Sequence, residues 1–246
     1  TLEALEAGSA HDIPQQNLLA KVKKLDTTRD DVALLHLKTT RTKRLRFLAG
    51  QYVSLGGNGN MPLSEQSVSS CPCDDMNLHF QIPKIVGNAF SDYIFNVLKN
   101  GDELEVNGPD GDFILNEDSH HSLTFIVWHT GFAPIRSLIE HAMALDVAET
   151  INLVWITAND KDRYLDNLCR SWNDALDNFN YTTILADLNT VDAAATVTNI
   201  IENINELDQH DIYVAGNSML LDTFRSALEH KQFTMEQLKL DLIKHD

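Results

Sequence analysis

Positive charge is scarce in this sequence. Nineteen Lys and Arg stand against 36 Asp and Glu in 246 residues, a net charge of −17. Long-range repulsion of that sign opposes wrapping nucleic acid or lying on an anionic membrane. Long hydrophobic runs are absent too. No apolar stretch reaches the roughly 18–20 residues that span a bilayer, and the chain does not open on the basic segment and apolar core of a secretory signal. The expectation is a soluble, cytoplasmic chain with no nucleic-acid and no membrane partner. Cysteine is rare: there are three, an odd number without the spacing of a disulfide framework. Cys71 and Cys73, flanking Pro72, read as loop thiols in a reducing compartment. A zinc or iron–sulfur site needs further Cys or His at ligand spacing, and Cys169 lies apart in a helical pattern, so no metal is expected. Internal repeats and low-complexity segments are missing as well.

What is present is a chain with 43% hydrophobic residues, long enough for two domains of ordinary size. The scarce positive charge is concentrated. Between Lys21 and Arg46 nine basic residues face three acidic ones, a local +6 that leaves −23 on the rest. Arg41, Lys43, Arg44 and Arg46 form its densest part. They read either as a dock for an acidic partner or a nucleotide phosphate, or as a solvated turn between strands.

Apolar residues alternate over 19–25, 32–37, 51–55, 78–82 and 103–106, which predicts strands of one antiparallel sheet or barrel. The glycine-rich stretch at 56–60 and the turn Gly108-Pro109-Asp110-Gly111 separate them. One helix interrupts the pattern over 90–98, where Phe90, Ile94, Phe95 and Leu98 share a face. After His121 the pattern changes. Continuous apolar strands over 123–128 and 151–156 alternate with amphipathic helices over 134–145 and 163–176. Strands over 181–185 and 211–215 and helices over 193–207 and 219–229 continue the series. Such strands, buried on both faces and joined by helices, indicate a doubly wound parallel sheet. The expected layout is a connector over 1–17, a six-stranded antiparallel β-barrel over 18–118 and a parallel α/β nucleotide-binding domain over 119–246, with a polar linker near Asn116 to His121. In open α/β sheets a ligand sits beyond the strands' carboxyl ends, where helix N-termini face an anion. The first such turn is His129-Thr130-Gly131-Phe132-Ala133-Pro134, with Gly allowing close approach and Pro pre-setting a helix start.

Several segments in this order carry a resemblance: Phe47-Leu-Ala-Gly-Gln-Tyr-Val53, Val86-Gly-Asn-Ala-Phe-Ser91, Lys99-Asn-Gly-Asp102, Gly108-Pro-Asp-Gly-Asp-Phe113, Thr130-Gly-Phe-Ala-Pro134, and Asp211-Ile-Tyr-Val-Ala-Gly216 followed by Met219. From about Leu18 onward the chain resembles the ferredoxin-NAD(P) reductase superfamily, in its flavin reductase and iron–sulfur oxygenase-reductase branches. The resemblance implies a flavin, FAD or FMN, held between barrel and α/β domain, and NADH or NADPH on the latter delivering hydride to it. It also implies that residues 1–17 are the connector that joins some members to a 2Fe–2S domain. The chain is then either a fragment of a longer protein or a relative that has shed that domain.

The implied site residues depart from the family in part. An Arg-x-aromatic-Ser motif, whose Arg meets the flavin phosphate and whose Ser stands near the reacting nitrogen, maps onto Ser64, Glu65, Gln66 and Ser67, followed by Val68. Only Ser67 matches, and the resemblance makes it the catalytic position. One lost charge-assisted phosphate contact costs on the order of 1.5–3 kcal/mol. The second flavin element is better kept: Gly87, Asn88, Ala89, Phe90 and Ser91 form the turn into the barrel helix, with Lys84 near enough in sequence to restore some charge. On the nicotinamide side a Gly-Gly-Thr-Gly turn becomes Trp128-His129-Thr130-Gly131, ending at Pro134. His129 reads either as a proton donor or phosphate ligand, or as a side chain filling space a glycine left. Two bulky side chains there are expected to narrow the pocket. Ala158 stands near where a cation often meets the adenosine ribose or its phosphate, Ala215 and Gly216 with Met219 complete the strand-end pair, and an aromatic that would cover the flavin is absent near the end of the sequence.

The function implied is an NAD(P)H-dependent flavin oxidoreductase with weak or exchangeable flavin, and the partner expected at Arg41 to Arg46 is an acidic electron-transfer protein. The alternative is a non-catalytic, reductase-like binding or scaffold subunit that has lost one or both cofactors. An unrelated α/β protein with another nucleotide is a third reading.

Overall fold

The computed structural model describes residues 13–57, 61–187, 193–229, 231 and 233–243. Residues 1–12 of the expected connector and 58–60 of the glycine-rich stretch lie outside the described residues. The chain divides into two compact units, residues 1–117 with Arg136–Leu145, and residues 118–135 with Asp146–Asp246.

The first unit is built on β1 (Gln16–Asp26), β2 (Val32–Lys38), β3 (Tyr52–Gly57), β4 (Met61–Ser67), β5 (Asn77–Pro83) and β6 (Glu103–Asp110), with α1 (Ala89–Asn96) between the last two. The strands form one antiparallel sheet in the order β4-β3-β6-β1-β2-β5. The sheet curls into a half-barrel. Its two edges meet just beyond β4, where Ser69 N donates to His79 O at 2.8 Å. Alternation places Leu18, Ala20 and Val22 inside while Leu19 is 47% exposed, and a register shift between Val22 and Lys24 accommodates the rest of β1. Phe80, Leu78, Leu35, Leu37, Val53, Leu55, Val106 and Phe90 fill the same core.

Two expectations change here. The Gly108–Asp110 stretch is strand rather than turn, pairing Tyr52 with Asp110 and Gln16 with Gly108. A Cβ on Gly108 would meet Val53 Cγ1 at 2.8 Å, so glycine is what lets β3 and β6 lie together there. In addition, β4 is a full strand that the apolar pattern does not announce, because only Gln66 on it is buried.

The second unit holds β7 (Ser122–Trp128), β8 (Ile151–Thr157), β9 (Phe179–Leu185), β10 (His210–Gly216) and β11 (Leu238–Leu242), all parallel in the order β11-β10-β7-β8-β9. Helices α3 (Asp166–Ala175), α4 (Ala193–Glu202) and α5 (Ser218–Leu228) connect the later strands, and α2 (Phe132–Leu145) follows β7. The order runs outward in both directions from β7, so the chain reverses between β7 and β10, the switch point at which open α/β sheets bind nucleotides. Helix α3 begins later than its periodicity predicts. Asn159 and Asp162 close a reciprocal capping box around a 3-10 turn at Asp160–Asp162, which holds Arg163 outside the helix.

Candidate functional site

In the first unit, β4 lies against β3 with Ser64 opposite Leu55, Gln66 opposite Val53 and Ser67 opposite Tyr52. Strand alternation puts Ser64 and Gln66 on one face, and the Gln66 amide donates to Ser64 Oγ at 3.0 Å. Gln66 is buried, Val68 is fully inside the core and Ser67 is half-buried. The two residues at the Arg and aromatic positions therefore satisfy one another.

The turn into α1 has a different character. Gly87 takes φ +77° with open space where a side chain would be, and Val86 beside it is 98% exposed. Asn88 is the N-cap, its Oδ1 accepting from Ser91 N at 2.9 Å. Ser91 is buried and its Oγ accepts from Ile85 N at 2.9 Å, so its hydroxyl holds the turn in shape. Helix geometry leaves the Ala89 and Phe90 N–H groups without a carbonyl in their own helix, and Phe90's ring is core. The Lys84 ammonium lies 5.2 Å from the Phe95 ring centre.

At the switch point of the second unit the strand-end turns are packed backbone to backbone. A Cβ on Gly131 would lie 2.5 Å from Ala215 O, and one on Gly216 would lie 2.8 Å from Trp128 Cβ. The bulky residue at 128 is accommodated in the core: Trp128 is 3% exposed, in a cluster with Ile126, Ile156, Val197 and Leu220. His129 takes the left-handed φ of +49°, the conformation that a glycine adopts without cost. Its carbonyl accepts from Trp155 Nε1 at 3.1 Å. Thr130 is buried, Pro134 lies in the first turn of α2, and Asn217 caps α5 through Leu220 N at 2.9 Å. Met219, on the first turn of α5, is 46% exposed.

Sequence reasoning passed over Arg163. Its guanidinium, 6% exposed, donates to Thr157 Oγ1 at 3.0 Å, pairs with Asp160 and lies 3.5 Å from Asp166. Burial alone would lower the Arg163 pKa, but the bond to Asp160 and the neighbouring charges raise it. Asp166 also accepts from Tyr181 Oη at 2.8 Å and from Arg170 Nε at 2.6 Å. These bonds and charges outweigh its burial and hold its carboxyl below the usual range. A cation thus stands at the carboxyl end of β8, although Ala158 is not one, and two carboxylates neutralise it. The Asn159–Asp162 capping box is the sequence signal that could have placed it.

Arg41, Lys43, Arg44 and Arg46 line one surface pocket with Gln16, Asn17 and Asp75. Arg44 reaches Asp75 at 3.4 Å. The reading of two loop thiols is overturned: Cys71 and Cys73 form a disulfide, since the 3-10 turn at Pro72–Asp74 folds one sulfur back on the other. Among the described residues no group of three or more His, Cys, Asp or Glu is placed to hold a metal.

Comparison with known proteins gives these geometries a context. The oxidoreductase FAD-binding domain model matches residues 19–114, and the oxidoreductase NAD-binding domain model matches residues 129–226. The chain belongs to the oxidoreductases that pair an FAD-binding with an NAD-binding domain, the two models together matching most of its length. It is 26% identical over 217 residues to the CDP-6-deoxy-L-threo-D-glycero-4-hexulose-3-dehydrase reductase of Yersinia pseudotuberculosis, covering 87% of this chain and 65% of that protein. It is 29% identical to a probable flavin reductase of Photobacterium leiognathi, covering 80% of this chain and 85% of the relative. The crystal structure of an Amycolatopsis cytochrome P450 reductase superposes with a TM-score of 0.81 at 20% identity, over 98% of this chain and 73% of that one. The chain spans just under two thirds of the length of the dehydrase reductase.

The residues present fit the anionic end of a flavin at the open backbone turn into α1, and a nicotinamide nucleotide would sit beyond the strand ends at the switch point. Nothing lies within 4 Å of where a Gly87 side chain would stand, so that turn is open, whereas at Gly131 and Gly216 the corresponding space is taken by the protein's own Ala215 and Trp128. The fit is thinner in side chains, because none of Ser64, Glu65, Gln66 and Ser67 is a cation.

Proposed function

We propose that the chain is an NAD(P)H-dependent flavin oxidoreductase that binds FAD or FMN exchangeably. When bound, the flavin supplies the step that takes up hydride from the nicotinamide. Gly87, Ala89 and Phe90 would hold the flavin's phosphate end through N–H groups at the start of α1, where the helix dipole favours an anion, while the Asn88 N–H is given to Ile85 O at 3.1 Å. Ser67 would give its ring a hydroxyl hydrogen bond. Thr130, Gly131, Ala215, Gly216 and Met219 would receive the nicotinamide nucleotide at the switch point. The basic residues Arg41, Lys43, Arg44 and Arg46 suit an acidic electron-transfer partner. The observation that carries the reading is the reversal of the parallel sheet between β7 and β10, in a chain that matches FAD-binding and NAD-binding domain models in order and keeps the open glycine at α1.

The second reading, a reductase-like binding subunit without cofactor, is favoured by the Gln66–Ser64 hydrogen bond, which closes off the polar groups of β4. Absorption spectra of the purified protein, before and after adding FAD or FMN, followed by NADH and NADPH oxidation, decide between them. The expected result is flavin absorbance that is gained on addition, lost on gel filtration, and accompanied by nicotinamide oxidation above the rate with flavin alone. No flavin uptake and no excess oxidation would establish the second reading.

A further inference from the structure

We infer that Cys71, Cys73, His141 and Glu117 form a second redox site in the first unit, a dithiol–disulfide couple that exchanges with low-molecular-weight monothiols.

The bridge is poorly suited to be a structural staple. Cys71 and Cys73 are separated by two positions, with Cα atoms 5.2 Å apart. The restraint that a disulfide places on the unfolded chain grows with the loop it closes, and this one encloses only Pro72.

Its two sulfurs are unequal. Cys71 is 5% exposed, whereas Cys73 is exposed. An incoming thiolate can reach only Cys73, so Cys71 is the leaving group. A leaving thiolate departs faster when it is stabilised, and Cys71 has two groups placed to do that. The Cys73 backbone N–H points at its sulfur over 3.2 Å, and His141 Nδ1 lies 3.7 Å away. His141 Nε2 is in turn 3.0 Å from Glu117 Oε1. A carboxylate on the far nitrogen orients the ring, so that Nδ1 faces the departing sulfur and can give it a proton.

Helix α2 holds this arrangement. Ser137, Glu140 and His141 share one face at i, i+3 and i+4 spacing. Ser137 Oγ donates to Ser70 O at 2.7 Å, and Cys71 N donates to Glu140 Oε2 at 3.2 Å. The Glu140 charge that would otherwise oppose a thiolate is paired with Arg136 at 2.8 Å.

The chemistry balances as two exchanges. A thiolate, RS−, attacks Cys73 Sγ, the Cys71–Cys73 bond breaks, and its electron pair leaves on Cys71 Sγ, which takes the proton from His141. A second thiolate attacks the RS sulfur of the mixed disulfide, forming RSSR and releasing the Cys73 thiolate, which is protonated from solvent. The disulfide gains two electrons and two protons as two monothiols become RSSR, and an excess of RSSR drives the reverse.

The test uses the full chain equilibrated in reduced and oxidised glutathione at graded ratios, acid-quenched and alkylated, with modified cysteines mapped by mass spectrometry. Cys71 and Cys73 are expected to titrate together as one two-electron couple, with the fully buried Cys169 unmodified before unfolding. Cys71→Ser should accumulate glutathione on Cys73, and Cys73→Ser should load Cys71 at least about tenfold more slowly. His141→Gln should slow reduction by glutathione at neutral pH by at least about tenfold while the circular dichroism melt is unchanged. If that variant does not fold, Glu117→Gln carries the same readout. Thiols that stay reduced at every ratio, equal loading of the two single variants, or an unchanged rate in a folded His141 or Glu117 variant would overturn the proposal.

Discussion

Ser64 has little to offer a phosphate. Its Oγ accepts from Gln66 Nε2, and neither group carries charge. A guanidinium at this position would add a charge-assisted, bidentate hydrogen bond to a flavin phosphate, worth on the order of 1.5–3 kcal/mol. Ser64→Arg is therefore expected to tighten FAD roughly ten- to hundredfold, measured by quenching of flavin fluorescence on titration. FMN and FAD affinities that do not change would remove position 64 from the phosphate site and return the burden to α1. His129 makes the complementary case. A non-glycine residue at φ +49° accepts a strain of about 1 kcal/mol or more, and the backbone shape is kept although the residue that makes it easy is gone.

At the scale of the element, the strand-end turns are where sequence and structure agree most closely. The strands β7, β8 and β10 were legible as continuous apolar runs because both their faces are buried. The turn after β7 was legible through Gly131. Strand β4 was not, since it has no alternating apolar pattern, its one buried residue being the polar Gln66, and its place in the sheet comes from pairing with β3. The same limit hid the Cys71–His141–Glu117 arrangement: its hydrogen-bonded members lie 70 and 24 positions apart, and only the packing of α2 brings them together. Arg163 was hidden by its helical surroundings, which read as surface. What Gly131 does can be tested directly. A methyl group there meets a backbone oxygen at 2.5 Å, and a carbonyl inside a parallel sheet cannot step aside. Gly131→Ala should destabilise the fold by roughly 1–3 kcal/mol, lowering the melting temperature by several degrees in differential scanning calorimetry. A melt identical to the parent would mean that the turn can open, and the backbone-approach argument would fail with it.

Across the whole molecule, the acid response separates two kinds of titrating group. Burial, then the charges of Arg136 and His36, push the His79 pKa down to about 4. Burial also lowers His36 and His210. Each of these rings stays neutral in the folded protein at a pH where the unfolded chain, with an ordinary value of 6.5, already binds a proton. The unfolded state then holds more protons, so stability rises with pH through this window and is lost as pH falls from 6.5 toward about 4. The carboxyls of Asp26 and Asp166 act in a lower range. Their folded values lie below 3.8, so what they contribute persists until the pH drops past that point. A further effect runs the other way: the net charge of −17 shrinks toward zero near pH 4.8, which relieves self-repulsion. The parent's melting temperature mixes these contributions, whereas the difference between the parent and His79→Gln isolates one. That variant removes a single titrating ring and keeps a polar side chain between His36 and Arg136. Its melting temperature should fall less steeply than the parent's between pH 6.5 and 4.5, with the two curves running parallel above pH 7. Parallel curves over the whole range would show that His79 takes up its proton without penalty, and that the strand pair β2–β5 beneath α2 is open to water.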